Sequence, residues 1–497
     1  MANSILWTIL QATPDTFEFI GLLGTFLCDL LEIFDKFASN PLAPQSTWKF
    51  ENDLETCGRE NLRKLVEYQY NRIEPAEFAD APVRMTLGGE QYKRRDKSPN
   101  KIATLFGTID VRRYLYEPLE RGEKSIFPLE MQLGVEAGLA TPALAERIGS
   151  ISADMTQQQT LGWLGQQHGV PWSATSLRKL QSSLSSGLCA FRESAQVEKI
   201  LELLKKAKKS KGSHDPVLAV GRDGVFLPMR HGIYQEGSAA TVSVYDRRGK
   251  RLGTVYLGRM PESGQGTMTD QLTSLLNEVL KQWRGCPLRL VYITDCGNHP
   301  KQYYEEVLKK MPDPQRPGQL LQWQWIVDFW HACNYLAKLR EVLFGDNQAG
   351  WKWFTRMRDW LRRRKQGVIE VLRSASQHWN RCENHTVERT KLFEEAYYFL
   401  RRYARHMNYS RYRRQGKPIG SGVTEAACKT VFTQRLKQSG MSWENTGGQV
   451  IVDLRVLKLS GIWSEAYGLY QQARTMPTPV PATRYQRRHR QNLKIAA

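Results

Sequence analysis

The 497-residue chain has no close pair of cysteines. Its eight, Cys28, Cys57, Cys189, Cys286, Cys296, Cys333, Cys382 and Cys428, stand apart, which excludes a zinc ribbon or a disulfide framework and fits a reducing cytosol. Long uncharged apolar runs are missing too. The most apolar early stretch, FEFIGLLGTFLCDLLEIF (17–34), carries Glu18, Asp29 and Glu32 and has no basic segment before it or cleavage site after it. It reads as a buried or dimerising helix, not a signal peptide or membrane span. Acid is scarce against base: 50 Asp+Glu face 71 Lys+Arg, a formal charge of +21. That excess points to a polyanionic partner, nucleic acid first, with a ribosome-associated or membrane-surface role as the plainer option. Hydrophobic content of 41% and aromatic content of 10% describe a globular chain too long for one core.

What is present changes character along the chain. Residues 1–85 have helical spacing, in 17–34 and again in ENLRKLVEYQYNRI (60–73). From 86 to 118, GEQYKRR, a turn at DKSPN and KIATLFGTIDVRRYLYEP predict a basic β-hairpin carrying Arg112 and Arg113. Helical spacing returns at 141–155. TQQQTLGWLGQQHGVPWSATSLRKLQSSL (156–184) then reads as helix, turn and helix, the second helix capped by Ser173 or Thr175 and carrying Arg178 and Lys179. That layout serves a helix-turn-helix in a major groove, or a plain packing corner. The lysine-rich KILELLKKAKKSKGSHD (199–215) predicts the main domain boundary.

Beyond it the period is that of strands: 216–224, a hairpin over 239–260, a helix at 267–283, a strand at 288–299 ending in Asp295, and a strand running into a helix at 321–344. Three antiparallel strands followed by alternating helices and strands predict an α/β sheet with the first strand near its centre. Residues 346–414 read as a helical insertion with Arg362, Arg363 and Arg364 in WLRRRKQ; solvated packing and DNA contact both account for it. PTPVPATRYQRRHRQNLK (477–494) predicts a disordered basic tail.

Two expected strands reach an aspartate beside a glycine, Asp223 in GRDG and Asp295 in TDCGN, and strand ends in α/β sheets are where ligand sites gather. Each alone also serves as a turn former. GSGVTEAACK supplies Glu425 in the first turn of a helix, where a carboxylate also complements the dipole. A capping box from Ser421 would need its acid at position 424, which is Thr424. An ion pair with Lys429 would contribute only about 0.2–0.5 kcal/mol. Three carboxylates converging in a basic protein suit Mg²⁺ or Mn²⁺, two ions of which can drive phosphodiester chemistry.

GEQYKRR, TLFGTIDVRRYLY and FPLEMQLGVEAGLATPALAERIG, then GRDGVFLPM, VYITDCGNH, IVDFWHACNYL, PIGSGVTEAACK and RLKQSGMSWENTGGQVIVDLRVLKLSGIW, follow one another over most of 86–465. In that order they resemble bacterial insertion-sequence DDE transposases with an RNase H-like core, the ISKra-type group most and Mutator-like elements more distantly. The resemblance implies a mixed sheet interrupted by an all-helical insertion and preceded by a mainly helical DNA-binding region with a β-hairpin. It implies Asp223, Asp295 and Glu425 as catalytic, metal-binding residues. DFWH resembles the family's Cys/Asp-x-x-His element, placing Asp328 and His331 beside the active site, whether as an incomplete zinc site or as a core histidine bonded by Asp328. Arg112, Arg113, Arg178, Lys179, Arg362, Arg363, Arg364, Lys429, Arg435 and Lys437 are the candidate DNA contacts. The cysteines that relatives carry after the strand ending YLYEP are missing.

The expected parts are therefore a helical, dimerising region (1–85), a DNA-binding region (86–200), a catalytic core in two pieces (214–345 and 415–470) around the insertion (346–414), and the tail (471–497). The expected function is binding of double-stranded DNA at terminal inverted repeats, with two-metal cleavage and strand transfer by a homodimer or larger assembly in the bacterial cytoplasm at the nucleoid. Rival expectations are an RNase H-like nuclease without joining, a non-catalytic transposase-derived DNA-binding protein, and an RNA-binding translation factor.

Overall fold

In this computed structural model the described residues are 14–481, apart from 121 and 384, with side chains described from residue 17. Most of the expected tail lies outside them. The chain divides into two compact units: residues up to Gly187 together with those from Tyr467, and Leu188–Ala466. The division falls inside one helix, Ala174–Lys209, not at the lysine run. The Gly-Ser step there begins only where the helix ends, so composition marked the helix terminus and not the boundary. Among the described residues no helix is long and apolar enough to cross a membrane.

The first unit opens with α1 (Pro14–Ser39) and α2 (Pro44–Ile73). The Phe37 and Phe50 rings stack 4.4 Å apart between them, while Leu23, Leu27, Leu31 and Phe34 remain exposed along α1. A sheet follows in the order β3-β2-β1-β9, made of β1 (Arg84–Leu87), β2 (Glu90–Thr104), β3 (Gly107–Pro118) and β9 (Thr478–Pro479). Gly88 and Gly89, both at positive φ, make the two-residue turn between β1 and β2 that such hairpins favour.

The expected turn at DKSPN is corrected: those residues run within β2, and the chain reverses at Leu105–Phe106. A bulge between Arg94 and Lys97 absorbs the irregular residues. Pro99 pairs only with β3, beyond the reach of the short β1, so its missing N–H costs no ladder bond. The start of the expected disordered tail is corrected as well: Thr478 and Pro479 pair with Thr86 and Met85 on the open edge of β1.

Further helices of this unit include α3 (Pro142–Ser152), α4 (Gln157–His168) and the first part of α5 (Ala174–Lys209). A capping box joins Thr156 and Gln159 at the start of α4, and Gly169 ends it in the left-handed region. Ser173 Oγ accepts from the Ser176 N–H at the start of α5. The helix-turn-helix layout is present, with a second helix far longer than expected.

The second unit is built on a mixed sheet in the order β6-β5-β4-β7-β8. Its strands are β4 (Val217–Pro228), β5 (Tyr234–Tyr245), β6 (Arg251–Arg259), β7 (Arg289–Thr294) and β8 (Trp323–Val327). β4 pairs antiparallel with β5 and parallel with β7, so the first strand of the unit is central, as its sequence predicts. Both faces are covered. The later part of α5, α6 (Gly266–Gln282) and α8 (Phe329–Phe344) contribute Leu204, Leu272, Leu276 and Leu336 to a core shared with Val220, Val242, Tyr292 and Trp325. Burying each such leucine stabilises by about 1.5–3 kcal/mol. α7 (Asn298–Glu306) follows β7. After α8 come α9 (Gln348–Arg363), α10 (Gly367–Trp379), α11 (Val387–Arg402) and α12 (Tyr409–Arg414), the all-helical stretch expected over 346–414. The chain returns through α13 (Gly422–Ala427), a π-helical turn at Cys428–Thr433 and α14 (Asn445–Leu459).

Candidate active site

β4 is longer than expected, and Asp223 lies within it instead of at its end. Its last partner on the β7 side is Gly221, opposite Ile293, while pairing to β5 continues through Asp223 to Pro228. Asp223 therefore sits just beyond the point where β7 leaves, at the mouth of a crevice between two parallel strands. Asp295 is the residue after β7 ends. Both line one cavity of about 220 Å³ with Glu236, Gln265 and His299.

Each aspartate is held by backbone. Asp223 Oδ1 accepts from the Gly224 N–H at 2.8 Å, and Asp295 Oδ1 from the Gly297 N–H at 2.9 Å. Cys296 between them carries φ of 72°, an uncommon conformation for a residue with a side chain and one that gathers at functional sites. The buried Thr294 hydroxyl anchors this turn, accepting from the Cys296 N–H and the Trp325 indole N–H. The Glu236 carboxylate lies over Gly224, where a β-carbon would push it aside.

Glu425 comes by a different route. A β-carbon at Gly221 would collide with the Thr424 hydroxyl, so the glycine lets α13 lie directly on β4. Beside that contact the Thr424 hydroxyl bonds the Thr241 hydroxyl of β5 at 2.8 Å. Asp328, fully buried, ties the incoming turn: Oδ1 accepts from the His331 N–H at 2.6 Å, capping α8, and Oδ2 accepts from the Ser421 N–H. Asp328 thus acts through the backbone, and the expectation that it bonds the His331 ring is corrected. That ring packs edge-on against Tyr335 and Phe399. Glu425 is exposed, with the Ser421 hydroxyl 3.5 Å from its Oε1.

Electrostatics join the three acids. The Asp223 carboxyl is pushed up to about 6, by burial first. The negative charges of Asp295 and Glu425 add to the rise, against hydrogen bonds from Gly224 and the Cys428 thiol. Cys428 Sγ lies 3.5 Å from Asp223 Oδ2, and burial followed by the Asp223 charge pushes its thiol well up. It is a neutral donor, not a nucleophile. Asp223 and Asp295 are hard oxygen donors sharing a cavity and repelling each other, which suits a divalent cation completed by water and phosphate. Glu425 adds charge but is not drawn in with them: among the described residues no three His, Cys, Asp or Glu side chains gather closely enough to hold a metal.

Sequence reasoning passed over Glu236, Gln265, Cys428 and Arg222. Arg222 is buried, bonds Thr269 and Gln265, and lies 4.8 Å over the Tyr303 ring, pinning one wall of the cavity. Only its place beside Asp223 in GRDG hinted at this. Two candidate DNA contacts are corrected. Arg113 is buried against Glu130 at 2.6 Å, and Arg435 is buried with its guanidinium 5.6 Å over Trp443. Apolar neighbours and a fixed partner hold both inside the protein. Arg112, Arg178, Lys179, Arg362, Arg363, Arg364, Lys429 and Lys437 are exposed.

No family model matches the chain. It is similar to the UPF0236 protein in vanSb 3′region of Streptococcus gallolyticus, 21% identical over 378 residues that cover 74% of each chain.

Proposed function

We propose that the chain is a DDE-type DNA transposase with an RNase H-like core, which binds the inverted repeats of an element, cleaves its ends and joins them to target DNA. The observation that carries this is the pair Asp223, on β4, and Asp295, just past the end of the neighbouring parallel β7, lining one cavity while the charge of Glu425 reaches Asp223. The strand order, with three antiparallel strands extended by two parallel ones around a central β4, supports the reading, as does the charge of +21. When bound, Mg²⁺ or Mn²⁺ would stabilise charge on phosphoryl oxygens and activate the attacking oxygen.

The protein's own groups prepare that chemistry. Asp223, ionised above about pH 6, and Asp295 present fixed carboxylate oxygens. Asp328 holds the turn that aims α13, and exposed Glu425 adds its charge from outside the cavity lining. Water attacks the phosphodiester at the element's end, breaking its P–O3′ bond and freeing a 3′-hydroxyl; that hydroxyl then attacks a target phosphodiester in line, expelling the target strand's 3′-oxygen as a new 3′-hydroxyl. Exposed Arg178 and Lys179 near the start of α5 and Arg112 on β3 supply phosphate contacts in the first unit. Two ends held together call for at least a dimer, with the exposed apolar face of α1 as its contact. The cell compartment is the bacterial cytoplasm, at the nucleoid.

Pre-cleaved duplex ends incubated with protein, plasmid target and Mg²⁺ test this. Joined product is expected, falling about 10³-fold in Asp223→Ala, Asp295→Ala and Glu425→Ala. Hydrolysis without joining would leave a nuclease. A second reading, a transposase-derived DNA-binding protein, draws on the wider placement of Glu425; it gains if Asp223→Ala and Glu425→Ala change no DNA-dependent activity.

A further inference from the structure

The second unit carries a strongly cationic cleft that the acid site does not use. Arg362, Arg363 and Lys365, at and just past the end of α9, and Arg413 and Arg414, at the end of α12, line a cavity of about 420 Å³ with Ser410. Both helices are fixed from behind. Met357 and Leu361 on α9 and Tyr409 and Tyr412 on α12 are buried in the core, and the Tyr409 hydroxyl donates to the Val327 carbonyl at 3.0 Å. The cations themselves are exposed.

Two bland accounts leave most of this charge unexplained. A cation in the last turn of a helix complements its dipole, yet one or two would serve, and here five face one space. Ion pairing reaches Arg363, whose Nε meets Asp359 at 2.6 Å on the surface, a contact of at most about 1 kcal/mol. Arg414 Nε donates to the Ser410 carbonyl within its own helix. Among the described residues no carboxylate lines the cleft, so apart from the Arg363–Asp359 contact its cations face one another with no acid between them.

We propose that this cleft grips the sugar-phosphate backbone of duplex DNA without reading its sequence. Guanidinium groups match phosphate oxygens in paired hydrogen bonds, and several phosphates in a row supply the charge that five cations lack. The lining offers no ring to stack a base, so neither a free nucleotide nor a base edge is favoured. The assignment rests on the transposase reading only for the choice of DNA. The chain from Arg414 to the Ser421 turn is short, and both belong to the same unit.

The test is binding of a labelled 20-base-pair duplex across a salt series by full-length protein. An Arg362→Ala/Arg413→Ala double variant is expected to bind about tenfold more weakly and to lose about two units of salt slope. Arg413→Lys should keep the slope, and an unchanged melting temperature would separate lost contact from lost fold. Affinity and slope equal to the parent's would overturn the proposal. So would a double variant that loses inorganic tripolyphosphate, or duplex RNA of the same sequence, while holding DNA as before. Asp223→Asn should bind DNA like the parent and not cut it. If it still cuts, the transposase reading falls while a weakened double variant keeps the cleft.

Discussion

The two sheets treat buried charge in opposite ways. Beside the smaller one, Arg113 and Glu130 are 8% and 11% exposed and meet at 2.6 Å. The guanidinium also donates to Ser98 and Pro99 and lies 3.8 Å over Phe127, while Asn100 donates to the same carboxylate oxygen. Every charge there has its complement. At the mouth of the larger sheet, Asp223 and Asp295 are set together with like sign, and a third acid adds to the repulsion. Complementary burial builds architecture. Like charges collected in a cavity are a standing cost that only a ligand offsets.

The largest effect should come from breaking the complementary side. Glu130→Ala strands Arg113 in a dry site and is expected to cost about 3–5 kcal/mol, a large part of the about 5–15 kcal/mol that holds most domains. Urea unfolding followed in the first unit measures it. A loss under about 1 kcal/mol would mean the pair is solvated and the contrast false. The like-charged side should respond with the opposite sign. Asp223 has its carboxyl raised from 3.8 to about 6, so the stability it contributes is complete below about pH 4 and lost as pH rises through 6. Asp223→Asn should therefore be more stable than the parent at pH 8 by about 2–3 kcal/mol and show no gain near pH 4. Mg²⁺ should raise the parent's melting temperature at pH 8 and leave the variant's nearly unmoved. Equal pH profiles for the two proteins would show that Asp223 carries no such strain.

The contrast also shows which parts of the molecule were legible beforehand. Alternation and length in 216–224, 239–260 and 288–299 predict strands, and their order leaves β4 in the centre, because local period and chain order are properties of the sequence itself. Asp223 and Asp295 could be found as acids within two residues of a glycine at the end of an apolar run, although β4 runs on past Asp223. Whether a charge is spent inside the fold is a different matter. Arg113 and Arg112 are neighbours in one basic strand, yet the pleat turns one to Glu130 and the other to solvent. Arg435 looks like its exposed neighbour Lys437 until Trp443 covers it. The meeting of Arg362 with Arg413, or of Cys428 with Asp223, depends on packing between distant segments and has no local signature. The helix over Ala174–Lys209 hid its division for the opposite reason: a continuous local pattern crosses two cores.

Gly221→Ala probes the join between the acids with a smaller effect. Its methyl would displace Thr424 and α13 with it, costing about 1–3 kcal/mol by overpacking and moving Glu425 while Asp223 and Asp295 keep their backbone supports. Joining activity should fall while Mg²⁺-dependent stabilisation persists; loss of both together would show that the three acids act as one rigid cluster. The smallest effect is expected at His406, which is buried beside Trp325 and faces Arg405. Burial, then the neighbouring Arg405, lowers its pKa to about 4. The neutral ring is what the fold accepts, so stability is intact above about pH 6.5 and declines as pH falls toward 4, by about 1–2 kcal/mol. His406→Gln should abolish that contribution, read as melting temperature between pH 7 and 4.5. Between the same limits Asp223 gains protons and stability, so the two groups pull the acid limb in opposite directions. The parent's curve should be shallow, steepening in Asp223→Asn and reversing in His406→Gln. An acid limb identical in all three proteins would remove both groups from the account.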